Sequence, residues 1–174
     1  MNVVLYIATS LDGFIADRDG GVGWLDRFTD PADGDYGYTD FYAGIGAVAM
    51  GRTTYEQVLG FGAWPYSGKL TVVFTHAPPE GEHPDVTFTS DDPADVVPSL
   101  RDEIEGDLWL VGGGKLIASF RAQGLIGEYI ITVIPVLLGE GIPLFVGTQP
   151  EASLQTTAVQ HFESGVVQLR YARG

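Results

Sequence analysis

Cysteine is absent from this 174-residue chain. That removes disulfide staples, thiolate nucleophiles and cysteine-ligated zinc, and gives no sign of an oxidising compartment. Basic residues are scarce: nine Lys and Arg stand against 23 Asp and Glu, a formal net charge of −14. Such a field repels DNA, RNA and anionic membrane surfaces, so no nucleic-acid partner is expected and any basic cluster becomes informative. His76, His83 and His161 are the only histidines and lack i, i+4 pairing, so no metal site is expected. No apolar run approaches the ~18 residues of a membrane span. The stretch up to Asp12 has no basic start and only a short apolar run, so it reads as a first strand and not a leader, and the cytoplasm is the expected location.

What is present is a globular composition, 45% hydrophobic and 11% aromatic, sufficient for one core and one domain over residues 1–174. Residues 3–9 form a β-branched apolar run that suits a central strand. Residues 10–35 are rich in Gly and Asp with Trp24, Leu25 and Phe28 interleaved, too long for a passive linker and typical of a functional loop. A short helix is expected from Tyr38 to Ile45, then a small-residue strand to Met50. A second helix follows, capped by Thr53 or Thr54 and stopped at Gly60. Residues 70–75 read as a buried strand and the segment near Val86 as a short one. A helix is expected from about Asp92 to Glu105, although Pro98 could delay its start. Residues 108–111 and 129–134 read as strands, with a helix between them closed by Gly124. A hairpin around Gly165 ends the chain. Alternation of strand and helix predicts an α/β sheet, mainly parallel, with an antiparallel C-terminal hairpin and flanking helices.

Two strand-to-helix junctions resemble each other. One places Gly51, Arg52, Thr53 and Thr54 at a helix start; the other places Val111, Gly112, Gly113, Gly114 and Lys115 at another. Helix starts carry unpaired N–H groups and a positive dipole end, so each can hold a phosphate. The plain alternative for the triple glycine is a sharp turn. At the C-terminal edge of a doubly wound sheet, one ligand with two phosphate-bearing parts could bridge both junctions. Neither junction matches a standard nucleotide fingerprint: the spacing from Gly112 requires glycine where Ile117 stands.

The strand-linked "GRTTYE" and "VGGGK", with "IATSLDGFIA" before them, resemble the dihydrofolate reductase-like superfamily. "SLDG" and "ITVIPVLLGEGIPLF" are most similar to its riboflavin-biosynthesis reductase domains. The resemblance covers essentially the whole chain. It implies a three-layer dihydrofolate reductase-like fold with NADPH across the C-terminal edge of the sheet. On that resemblance Gly51, Arg52, Thr53 and Thr54 would take the pyrophosphate and the adenosine-ribose phosphate. Val111 to Lys115, with Leu116, would meet the pyrophosphate from the other side. Thr75 and His76 would flank the adenosine 2′-phosphate, and Ala8 and Ile15 would line the nicotinamide. A cis peptide between Gly112 and Gly113 is implied as well, with a turn too tight for a Cβ at 113. Thr54 as a helix cap and His76 as a loop residue are the plain alternatives.

Hydride transfer also needs a proton. Counting back from Met50 by the folate-reductase interval reaches Asp35, with Thr132 as the supporting threonine, while Asp26, Asp30, Asp33 or a held water stay open. Trp24 and Lys69 would fall on the substrate side. Lys69 stands where folate reductases carry an arginine, and lysine cannot make the planar two-bond grip on a carboxylate. This favours another heterocycle over folate. Riboflavin-pathway reductases act on a ribosylaminopyrimidine phosphate and are often fused to a zinc deaminase, whose site cannot exist without cysteine. Asp12 reads as a turn residue, with contact to a substrate ribose as the alternative. The Trp64–Gly68 stretch reads as a substrate wall or a packed loop. Three functions remain open: an NADPH-dependent reductase of a pyrimidine- or pterin-like compound, a dihydrofolate reductase, and a dinucleotide-binding protein without catalysis. A homodimer is expected from the family's habit and a free edge near the C-terminal strands.

Overall fold

The computed structural model describes residues 1–28, 33–80, 85–148 and 150–174. Its frame is an eight-stranded sheet. In chain order the main-sheet strands are β1 (Val3–Ser10), β3 (Ile45–Gly51), β4 (Leu70–Phe74), β5 (Val86–Thr89), β6 (Asp107–Gly112), β7 (Glu128–Ile134), β9 (Leu154–His161) and β10 (Val167–Arg173). They lie in the order β5-β4-β3-β6-β1-β7-β10-β9. β5 through β7 pair in parallel, while β10 runs antiparallel to both β7 and β9. Two short strands, β2 (Phe14–Ala16) and β8 (Ile142–Pro143), pair separately.

Period-two alternation sends β1 side chains to opposite faces. Val3 and Leu5 join Leu108, Leu110, Ile117 and Phe120 in one core under the helices α3 (Pro93–Leu100) and α4 (Gly114–Ala122). Val48, Met50, Tyr55 and Trp109 form the opposite core, against α1 (Tyr38–Ala43) and α2 (Arg52–Leu59). Each fully buried Leu, Ile or Phe contributes about 1.5–3 kcal/mol before entropy is counted. The result is the expected three layers.

Boundaries differ from the sequence reading in three places. α1 stops at Ala43, and Ile45, read as the end of that helix, opens β3. α3 stops at Leu100, with Asp92 capping it through Ala94 N (2.9 Å). Pro98 sits inside its last turns, where a missing N–H removes one rung of the ladder. The cap expected at Thr53 or Thr54 is taken by Gly51, which makes no side-chain cap bond. Both threonines belong to the first turn instead.

The long 10–35 connection is held by carboxylates. Asp12 accepts from Ser10 Oγ (2.6 Å), Leu138 N (3.1 Å) and Gly139 N (2.7 Å), so it fastens the β1–β2 turn to the β7–β8 loop. This is the turn role expected for it. Asp33 accepts from Glu163 N (2.8 Å), Ser164 N (3.2 Å) and Tyr36 Oη (3.2 Å), fastening the loop to the C-terminal hairpin. Asp35 accepts from Gly37 N (2.9 Å) and Thr39 N (2.8 Å) at the start of α1. These bonds favour the charged form and hold all three below the ordinary carboxylate range, led by the Ser10, Ser164 and Thr39 side chains respectively. A depressed folded pKa contributes stability above the unfolded value of about 3.9, which is lost as pH falls through the folded pKa. The melting temperature should therefore fall in acid below about pH 4. In a differential-scanning series Asp12→Asn should lose part of that slope; an unchanged slope would show that the turn does not depend on the charge.

Candidate dinucleotide cleft

A cleft of about 900 Å³ opens where β1, β3 and β6 end. β6 lies between the other two, so the first turns of α2 and α4 face the same space. Both helices begin on an extended glycine, Gly51 (φ −82°, ψ 164°) and Gly113 (φ −62°, ψ 168°), and neither has a side-chain cap. Two sets of first-turn N–H groups, each at a positive dipole end, are thus left for an anion.

The three consecutive glycines serve different needs. Gly112 has φ +143°, a conformation that L side chains rarely adopt. A Cβ at Gly114 would lie 3.0 Å from Pro143 O and 3.3 Å from Val146 Cγ1, so the backbone there would have to give way to it. At Gly113 the fold makes no such demand. A Cβ there would meet only Thr54 Oγ1, at 3.5 Å, an ordinary contact. The turn is therefore not too tight for a Cβ at 113, contrary to the sequence expectation. That methyl would instead stand in the gap between the two helix starts. The Gly112–Gly113 peptide is cis, as the resemblance implied.

The structure brings Ala8, Ile15, Gly51, Arg52, Thr53, Thr54, His76 and Val111 through Leu116 to one cleft. Thr75 lines an adjoining hollow of about 340 Å³ that shares Phe74, His76, Leu116 and Ser119 with it. Together they form a trough from Ala8 to the start of α3. Lys115 is exposed and has no ion pair among the described residues. Arg52 is held by Glu56 Oε1 (2.7 Å) and by Ala77 O, which orients it toward the His76 end. Gln57 also lines the cleft, and its Nε2 donates to Gly20 O (2.7 Å), bringing the 17–22 turn over one rim. Its place one turn beyond Thr53 on the same helix face was the signal available in the sequence. Asp19, Ile142 and Val146 reach the lining only through loop packing.

Other expected residues are not gathered there. Asp35 and Thr132 do not pair: Asp35 is engaged at the start of α1, and Thr132 Oγ1 accepts from Gln168 Nε2 (3.1 Å). Among the alternative acids, Asp33 is tied to the hairpin, Asp26 is exposed, and Asp30 lies outside the described residues. Lys69 sits at the opposite, N-terminal end of β4, where it donates to Ile45 O and stacks 4.6 Å above the Tyr42 ring. Sequence position placed it before a strand; the parallel direction of that strand puts it away from the cleft. Trp24 packs against the cluster of Ile134, Phe162 and Val166, as do Ala8 and Leu25, which line the cleft. Trp64 packs edge-on to Tyr55 and Tyr66 within the α2-side core, as a packed loop. His83 lies outside the described residues, and no cluster placed to hold a metal occurs among them. No helix among them is long and apolar enough to cross a membrane.

An α/β sheet with this order, an antiparallel C-terminal hairpin and flanking helices is the dihydrofolate reductase-like fold. A dihydrofolate reductase from Enterococcus faecalis, solved in complex with NADP(H) and RAB-propyl, superposes with a TM-score of 0.69 over 99% of this chain and 96% of its own, at 18% identity. At that identity it speaks for the fold. Residues 64–168 match the RibD C-terminal domain family, and the chain belongs to it. The uncharacterized protein YwjB of Bacillus subtilis (strain 168) is 42% identical over 171 residues, 98% of this chain and 97% of its own. A crystal structure from Shewanella sp. PV-4, whose name assigns it to riboflavin biosynthesis, has a TM-score of 0.90 at 31% identity, covering 100% and 99% of the two chains.

Proposed function

We propose that this protein is an NADPH-dependent oxidoreductase that transfers a hydride to a pyrimidine- or pterin-like heterocycle, in the manner of the riboflavin-pathway reductases. The carrying observation is the pair of uncapped glycine helix starts facing one another across the cleft. A Cβ at 113 would meet Thr54 Oγ1 at 3.5 Å, on the side of the other helix start, where the phosphate would lie. Gly51 to Thr54 and Gly112 to Lys115 would bind the phosphates by N–H groups, hydroxyls and cations. Arg52, Thr75 and His76 would take the adenosine end, and Ala8 and Ile15 would flank the nicotinamide. When bound, the cofactor supplies the hydride. The proton would come from water reaching the cleft or from Asp19, the carboxylate in its lining, since Asp33 and Asp35 are engaged with backbone N–H groups. Lys69 takes no part in substrate binding, and the absence of an arginine clamp disfavours folate.

The deciding assay follows NADPH oxidation with dihydrofolate and with the ribosylaminopyrimidine phosphate in parallel. Turnover of the pyrimidine and poor turnover of dihydrofolate is the expected result. Efficient dihydrofolate reduction would reverse the substrate ranking, and cofactor binding without turnover of either would leave a binding protein. We also propose a homodimer through β9, an edge strand exposed at all eight residues and free of both charge and proline. Light scattering should give close to twice 18.7 kDa; a monomer would overturn it.

A further inference from the structure

All nine Lys and Arg of the chain fall among the described residues, so every fixed cation has a place. Arg52 and Lys115 line the cleft, each in the first turn of a helix that starts there. The others do not line it. Lys69 donates to Ile45 O at the far end of β4, and Arg101 ends α3. Arg121 donates to Pro150 O (3.3 Å), Arg170 to Gln168 Oε1 (3.3 Å) and Arg173 to Gly124 O. Arg27 lies over the Phe28 ring, 6.0 Å from its centroid. Of these seven, Arg18 alone adjoins a cleft-lining residue in the chain. It pairs with Glu140 and stands between Asp17 and Asp19, so negative charge outnumbers it locally.

The part of the lining contributed by β1, β2, the 19–25 segment and β8 has a different character. Ile7, Ala8, Ile15, Val22, Leu25 and Ile142 make it apolar, and Asp19 is its one ionisable side chain. Asp19 is exposed and has no ion pair among the described residues. Ala8 and Ile15, assigned above to the nicotinamide, belong to this part, so a substrate that receives the hydride lies along it. An anionic group set there would lose water, gain no cation and meet a carboxylate, within the field of a chain at −14.

We propose that the substrate is recognised as a neutral heterocycle, and that a phosphate or carboxylate attached to it adds nothing to binding. The inference rests on the reductase reading, which commits Arg52 and Lys115, with His76 beside Arg52, to the cofactor. The ribosylaminopyrimidine phosphate is then held by its ring and ribose alone, and its dephosphorylated form serves equally well. The same shortage of cations leaves the carboxylate of dihydrofolate without a partner.

The test titrates NADPH-saturated protein with uridine and with uridine 5′-monophosphate, one nucleoside without and with a phosphate. Saturation keeps that phosphate away from the two helix starts. The affinities should be equal, or weaker for the monophosphate, whereas a cation held for the phosphate would favour the monophosphate by about tenfold or more. Binding of neither form counts with equality, because such a cation would still have captured the monophosphate. In turnover, kcat/KM for the ribosylaminopyrimidine phosphate should not fall when a phosphatase removes its phosphate. Asp19→Arg, a change at an exposed turn position, should shift the preference toward the monophosphate. A monophosphate preference of that size in the wild type, or a comparable fall in kcat/KM on dephosphorylation, would overturn the proposal. If neither form of the substrate is turned over, the reductase reading fails and the nucleoside pair still decides this one. If NADPH does not bind, the pair is titrated against the wild type and the Arg52→Leu/Lys115→Ala double variant. Equal affinities in the double variant uphold the proposal; a monophosphate preference that survives there reveals a second anion site and overturns it.

Discussion

Gly113→Ala should weaken NADPH binding on the order of a hundredfold or more while leaving the melting temperature unchanged or slightly raised. The backbone there (φ −62°, ψ 168°) is open to any L residue, and the new methyl would meet only Thr54 Oγ1 at 3.5 Å. Replacing glycine where the conformation is compatible stabilises by about 0.4–1 kcal/mol, through the unfolded chain. Binding is another matter. The methyl would occupy the gap between the two helix starts, adding an overpacking cost of about 1–3 kcal/mol. It would also push the phosphate off charge-assisted bonds of about 1.5–3 kcal/mol. Together these correspond to roughly two to four powers of ten in Kd. Gly114→Ala supplies the contrast. Its Cβ would press on Pro143 O at 3.0 Å, so this variant should melt earlier whether or not cofactor is present. Fluorescence titration and thermal melts of both variants separate the effects. A Gly113→Ala protein with normal NADPH affinity would return the triplet to an ordinary turn.

The second large effect concerns cofactor choice. NADPH should bind more tightly than NADH by about ten- to a hundredfold, the range of one charge-assisted contact of 1.5–3 kcal/mol. Arg52 is the cation at the His76 end of the trough, and Arg52→Leu should remove most of the preference with little effect on NADH. Two features place the effect toward the lower end of that range. The Arg52 side chain is 41% exposed, and Glu56 already holds its Nε at 2.7 Å, so a phosphate must share it in a screened setting. The preference should therefore shrink as salt rises. Equal affinities for the two cofactors, or a preference indifferent to Arg52, would sink this assignment.

The sequence by itself determined the sheet, the two glycine helix starts and their shared edge. These depend on local rules: alternation within strands, helix periodicity, and glycine at junctions where backbone must stay bare. Even the small departures, Pro98 inside α3 and Gly51 as the cap of α2, concern one or two residues at a helix end, where several local preferences compete. The polar partners of the loops and of β7 were another kind of problem. Thr132 has its hydrogen bond from Gln168, 36 residues later, and Asp12 meets Gly139, 127 residues later. β2 meets β8 across a similar interval with only a few residues in each. A carboxylate or an amide can satisfy its bonds with any group that folding brings near, and sequence spacing contains no record of which group arrives. Asp35, read by interval as an acid, accepts from Gly37 N and Thr39 N at the start of α1, because those two N–H groups lay within reach. Lys69 illustrates the same limit through direction: it precedes β4, and only the parallel arrangement of the sheet shows that this end faces away from the cleft.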